Sequence, residues 1–391
     1  MKTYILIDSV GSKYHLDKVF APKSKFIILH DSSEYHTSSD SIIDKINIKD
    51  TTSFFELKEC ISNIRKMHCI EKIICLSEKE KLVTASLNVH FGFCDLNSYS
   101  TALRVRDKFV MKEHAKLSGI NIPGFSDIFG AYRLLEQHKK IIIKPRLGFG
   151  SVDTFVVESI NELNCLINKH SISARLCDFI CEEFIEGSLH HYDAIVKDGK
   201  PIEGRVSIYS GSTIDFSNKD YLYSYQLIDH AAERFCESII SAYSILNGVV
   251  HIEFFKTNNS EYVFCEIATR AGGGGIVPGY EATTGYNLFV SDLLLGTCSE
   301  LERNDEVFSY SGQLIFYSKS GVINKISKVE DFCEEYLWYK SIRKSNGDYI
   351  RKSNYSADKI ATFVITADSP ELVEHRIQEL IKNFKCEIVN D

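Results

Sequence analysis

The chain has 391 residues, 44% of them hydrophobic and 25% charged, with a formal net charge of −8. These ordinary globular values exclude a disordered or fibrous chain, and the acidic balance excludes a protein that binds nucleic-acid phosphates through a basic face. At the usual ~100–200 residues per domain the length predicts two or three domains.

Twelve cysteines are present without C-x-x-C spacing, the nearest pair being Cys177 and Cys181. Neither a zinc ribbon nor a redox pair is written here, and a reducing cytoplasm is expected. The first residues enter an apolar strand without a signal-peptide pattern. No run reaches the about 18 apolar residues of a membrane helix, so no membrane partner is expected.

Apolar runs at 4–7, 26–29 and 70–76 alternate with polar helical stretches such as 54–67, which predicts βαβ units on a parallel sheet. No P-loop occurs, and Gly148-Phe149-Gly150 lacks the third glycine of a dinucleotide fingerprint. Residues 104–117 read as a helix closing at Gly119 before Pro123. From 141 to 157 the pattern is strand, glycine turn, strand. Further strand pairs flank the turns at 197–200 and 257–260, and 371–383 reads as an amphipathic helix.

Lys144 ends an apolar strand beside Gly148, Gly150 and Ser151. An ammonium there, exposed at the strand end, can meet phosphate oxygens while the turn's N–H groups cover them; an edge lysine before an ordinary hairpin has the same pattern. Glu182-Glu183-Phe184-Ile185 leads into a glycine turn, and extended backbone of this kind can present a donor and an acceptor to an adenine edge. The same segment suits any sheet.

Glu253 and Glu266 stand on otherwise apolar strands. Buried carboxylates ask for a cation, and hard Mg²⁺ suits two of them; the alternative is that both face solvent. Four residues after Glu266 comes Arg270, then a run of four glycines that includes Gly273 and Gly274. An arginine and exposed backbone N–H groups there suit a phosphoryl group or a substrate carboxylate.

In their order and spacing these segments resemble the ATP-grasp superfamily, particularly its carboxylate-amine ligases such as bacterial L-amino acid ligases. The resemblance implies α/β and α+β architecture in three domains: an N-terminal parallel-sheet domain (1–103), an ATP-grasp domain (104–302) with a lid subdomain near 121–187, and a C-terminal antiparallel α+β domain (303–391) that completes the site. It implies ATP contacts by Lys108, Lys144, the lid residues Gly148 to Ser151, and the hinge from Glu182 to Ile185. It further implies Mg²⁺, or Mn²⁺ in its place, on Glu253 and Glu266, catalysis by Arg270, and substrate contact by Gly273 and Gly274. Small-molecule carboxylate and amine substrates follow, with amide formation through an acyl phosphate, and a homodimer is compatible with it.

Two positions depart from the family's pattern. Ala268 replaces the usual asparagine ligand, as in branches that join amino acids, and Ser188-Leu189 replaces an acidic ribose contact, a role that passes to Asp193. Two other readings stay open: a carboxylase or purine-type synthetase that activates bicarbonate or formate, and a nucleotide-binding protein without turnover.

Overall fold

A computed structural model describes residues 1–9, 24–32, 35, 39–94, 96–173, 175–214, 219–352 and 359–389. The N-terminal strands β1 (Lys2–Ile7), β2 (Ser24–His30) and β3 (Ile42–Asn47), with β4 (Ile70–Cys75) after helix α1 (Phe54–Met67), form a parallel sheet ordered β3-β2-β1-β4. Ser53 caps α1 by accepting from the Glu56 N–H, and Leu57, Ile61 and Ile64 make its buried stripe. Ile5, Ile7, Ile27 and Leu29 pack on α1 and on α2 (Lys81–His90), whereas Tyr4, Leu6, Phe26 and Ile28 pack toward Leu293. Burial on both faces explains why the strands read as continuous apolar runs. β3, an edge strand with three exposed residues in succession, carries no such run and is absent from the sequence reading.

The helix expected over 104–117 is two helices, α3 (Leu96–Arg106) and α4 (Lys108–Leu117), broken at Asp107. Asp107 has extended backbone, and its carboxylate accepts from the N–H groups of Phe109 and Val110. An aspartate in such a run competes with the helix as an N-cap. Strands β5 (Phe125–Asp127), β6 (Ile141–Pro145), β7 (Phe155–Val157) and β8 (Phe179–Glu183) then form an antiparallel sheet ordered β5-β8-β6-β7, accompanied by α5 (Ala131–His138), α6 (Ile160–Ile167) and α7 (His170–Ser173).

The central sheet has eight strands. β9 (Gly187–Lys197), β10 (Lys200–Tyr209), β11 (Tyr221–Leu227), β12 (Gly248–Thr257), β13 (Tyr262–Ala268), β14 (Tyr310–Tyr317), β16 (Leu337–Ile342) and β18 (Lys359–Ala367) lie in the order β13-β12-β9-β10-β11-β14-β18-β16. β15 (Gly321–Ile326), β17 (Tyr349–Ile350) and β19 (Cys386–Val389) form a small separate sheet. The two-residue turn between β9 and β10 puts Asp198 and Gly199 at φ 52° and 78°, the left-handed pair that suits a tight hairpin.

The period of two divides the strands of this sheet between a core and a cleft. Tyr192, Ala194 and Val196 of β9 and Val250, Ile252 and Phe254 of β12 pack on α8 (His230–Ala242) and on Met111 and Ala115 of α4. Leu189, His191 and Asp193, with His251, Glu253 and Phe255, take the other face. Helices α9 (Ile276–Thr284) and α10 (Leu288–Gly296) cover one end of that face through Ile195 and Val249. α11 (Pro370–Asn383) buries Val373, Ile377 and Leu380 against β14 and β18.

Candidate active site

Between the β5–β8 sheet and the cleft face of the central sheet lies a cavity of about 320 Å³, at the small end of the range that holds a nucleotide-sized ligand. Lys108, Lys144, Gly148, Gly150, Ser151, the hinge from Glu182 to Ile185, Glu253 and Glu266 all line it. Residues far apart in sequence therefore converge on one space.

Lys144 is buried rather than exposed, at 9%; its Nζ lies 2.8 Å from Glu182 Oε2. Burial opposes its charge, but Glu182 and Glu266 outweigh burial and hold Lys144 above its usual range. Glu182 is also 3.6 Å from the fully buried Lys112. Burial opposes ionisation of Glu182 too, yet the two lysines keep its carboxyl below the usual range. Its Oε1 is buried without a hydrogen bond and faces the Lys112 ammonium.

Glu253 and Glu266 are direct cross-strand partners. The register shifts immediately after this pair, so Cys265 is an extra residue on β13 and both Cys265 and Glu266 face the cleft. Such a bulge re-aims side chains. Lys108 Nζ stands 3.6 Å from Glu266 Oε2 and donates to Gly148 O at 2.7 Å. Lys108, Lys144 and Arg270 outweigh desolvation and lower the carboxyl of the partly exposed Glu266 to about 2. Glu253 accepts from Tyr209 Oη at 3.3 Å. Two facing carboxylates with cations on one side fit a divalent ion that would also meet phosphates. Ala268 is buried opposite His251 and offers no ligand atom.

The loop after β6 follows the hairpin expected from its glycines. Gly150, Ser151 and Asp153 have φ of 64°, 58° and 54°, a left-handed conformation unusual outside glycine. Arg106 donates to Leu147 O, and Lys108 to Gly148 O, so two cations already gather the loop's carbonyls over the cleft.

Arg270, Gly273, Gly274 and Asp193 do not line the cavity. Arg270 Nε donates to Glu78 Oε2 at 2.7 Å, and its NH1 to Ala271 O. Glu78 was invisible to spacing and enters from the loop after β4. That loop opens at the C-terminal ends of β1 and β4, where strand order reverses, the place where open parallel sheets bind ligands. Gly273 has open space around it, and Gly274, at φ 71°, lies against Gln313 Oε1. Asp193 is buried beyond Glu253, between His191 Nδ1 at 2.6 Å and His251 Nδ1 at 2.9 Å. Burial opposes its charge, but the two histidines hold it well below the usual carboxylate range; in return Asp193 lifts His251 against burial to about 10. Asp193 thus does not line the cavity that the other expected ATP contacts share. Lys112, Tyr209 and Gln313 also escaped the sequence reading, since none sits in a motif.

Similarity to known proteins places an ATP-grasp domain around this site. Residues 137–278 match the family model described as an ATP-grasp domain. An L-arginine-specific L-amino acid ligase of Bacillus subtilis is 24% identical over 375 residues, covering 88% of this chain and 86% of the relative. An L-amino acid ligase structure from Bacillus licheniformis superimposes with a TM-score of 0.79 at 16% identity, over 100% of this chain and 99% of the other. N5-carboxyaminoimidazole ribonucleotide synthetase from Thermotoga maritima gives 0.70 at 17% identity, over 100% of both chains. Among the described residues no helix is long and apolar enough to cross a membrane.

Proposed function

We propose that the chain joins the carboxylate of one small molecule, an amino acid, to the amine of another, with ATP as the activating substrate and ADP and phosphate as products. The observation that carries this reading is the Glu253–Glu266 pair sharing one cavity with Lys108 and Lys144. The L-amino acid ligases among the relatives supply the substrate class.

Lys144 and Lys108 neutralise phosphate oxygens, and the loop from Gly148 to Ser151 covers them. Glu182 and the hinge backbone hold the base. Glu253 and Glu266 hold Mg²⁺, which when bound neutralises charge on the transferring phosphoryl group. Arg270, oriented by Glu78, faces the metal strands from the glycine loop and stabilises the phosphoryl oxygens during in-line attack by the substrate carboxylate. The γ-phosphorus–oxygen bond to ADP breaks as the acyl–phosphate bond forms; the amine then displaces phosphate. A closed lid keeps water from the acyl phosphate.

A matrix of amino acids and amines, read by phosphate release and product mass, tests the reading. An amide formed with one ADP per bond supports it. ADP formation that needs bicarbonate and no amino acid would instead favour a carboxylase, whose fold is shared, and nucleotide binding without turnover on any pair would leave a binding protein.

A further inference from the structure

His191, Asp193, His251, Ser224 and Gln313 are all buried and belong to none of the roles above. Their protons can be placed from donor chemistry alone. The Gly275 N–H can only donate, and it donates to Gln313 Oε1, so the Gln313 amide nitrogen is the group 3.0 Å from Ser224 Oγ. Ser224 accepts there, and its Oγ is also hydrogen-bonded to His191 Nε2 at 3.1 Å. Because a carboxylate only accepts, His191 Nδ1 donates to Asp193 Oδ2 at 2.6 Å. The other Asp193 oxygen accepts from His251 Nδ1 at 2.9 Å, and His251 Nε2 faces Glu253 Oε1 at 3.7 Å. Every link as far as His251 is a hydrogen bond, and the last, to Glu253, is an ion-pair contact.

The His-Asp-His cluster is not better read as a metal centre. With bonds of about 2.0–2.1 Å, tetrahedral ligand atoms stand about 3.3 Å apart, whereas 2.6 and 2.9 Å are hydrogen-bond separations. The glycine loop is seated on the same chain. A Cβ on Gly272 would lie 2.9 Å from Asp193 Oδ1 and 3.0 Å from His251 Nδ1, and one on Gly274 would collide with Gln313 Oε1.

We propose that Gln313 is a positioning residue for the metal ligand Glu253, acting through Ser224, His191, Asp193 and His251, and that this chain sets Glu253 and the Gly272–Gly275 backbone in one rigid frame. Gln313 lies on β14, outside the matched span of 137–278, so the C-terminal segment governs the geometry of the metal site without touching it. The inference rests on Glu253 as a metal ligand.

Gln313→Leu and Ser224→Ala test it by titrating Mg²⁺ against ADP formation, with ATP affinity and melting measured alongside. Both variants should need about 10-fold more Mg²⁺ for half-maximal rate, a typical effect of removing an outer partner of a metal ligand, while the KM for ATP at saturating Mg²⁺ stays within about two-fold. Since both break one chain, the double variant should be little worse than the worse single. An unchanged Mg²⁺ requirement in the folded variants overturns the proposal. So does a parallel loss of ATP affinity, Mg²⁺ response and melting temperature, which marks a purely structural role. If Gln313→Leu does not fold, Ser224→Ala decides alone. Wild-type ADP formation without any divalent metal would defeat the reading of Glu253 itself, a result distinct from normal metal dependence with indifferent variants.

Discussion

Glu253 and Glu266 stand directly opposite one another on β12 and β13. Like charges in this position destabilise a sheet, but Lys108 at 3.6 Å from Glu266, with Lys144 and Arg270, more than offsets this at Glu266. Binding of a divalent cation with nucleotide would raise stability by mass action. Glu253→Gln and Glu266→Gln should each lower metal-dependent ADP formation roughly 100-fold, and Glu266→Gln, which removes the charge facing Lys108, Lys144 and Arg270, should melt lower than wild type without metal. Thermal shift should show MgATP raising the wild-type melting temperature by several degrees and raising the variants' little. A full MgATP shift in both variants would remove these residues from the metal site.

Lys144 carries two roles, because its ammonium pairs with the buried Glu182 at 2.8 Å while lining the nucleotide cavity. Breaking a buried pair typically costs about 3–5 kcal/mol; Lys112, at 3.6 Å from the other oxygen, should hold Lys144→Ala toward or below the lower figure. Urea unfolding should register that loss, and nucleotide titration should show weakened ATP binding. Stability equal to wild type would contradict the buried pair.

Arg270 sits between Glu78 and the metal strands. In the proposed reaction its guanidinium would act on charge that is redistributed during phosphoryl transfer, so Arg270→Ala should depress kcat more than it raises the KM for ATP. The nucleotide product must be ADP, with one phosphate per amide. Labelled ATP run with an accepted substrate pair settles the point, since AMP and pyrophosphate would mean attack at the α-phosphorus.

Asp229 caps α8 through the Ala232 N–H and binds Lys256 Nζ at 2.8 Å and Tyr262 Oη at 2.7 Å. Burial opposes its charge, but Lys256 and these donors outweigh burial and lower its carboxyl to about 2. A depressed carboxylate pKa stabilises the fold above the unfolded value of about 4 and loses that contribution as pH falls toward about 2. Asp229→Asn keeps a capping oxygen but loses the charge. Its stability at neutral pH should fall by roughly 1 kcal/mol, and its denaturation midpoint should vary less between about pH 4 and pH 2 than that of wild type. A slope identical to wild type would show that this group does not titrate on unfolding.

Local chemistry wrote much of this protein into the chain. Apolar runs, the turn at Asp198-Gly199 and the amphipathic stripe of α11 announce their elements because backbone conformation and burial period act over a few residues. Glu253 and Glu266 stood out for the same reason, as charges on strands that otherwise read as core. Proximity across the fold was not legible. Glu78 reaches Arg270 over a sequence separation of 192 residues, Lys112 reaches the Phe264 carbonyl over 152, and Gln313 meets Ser224 over 89; no local pattern encodes such meetings. Asp193 shows the boundary between the two. The strand period puts it on the same face as Leu189 at the cleft, yet four residues at about 3.3 Å each carry it about 13 Å further along, where strand pairing and the glycine loop, not its own neighbours in sequence, decide that it meets His191 and His251.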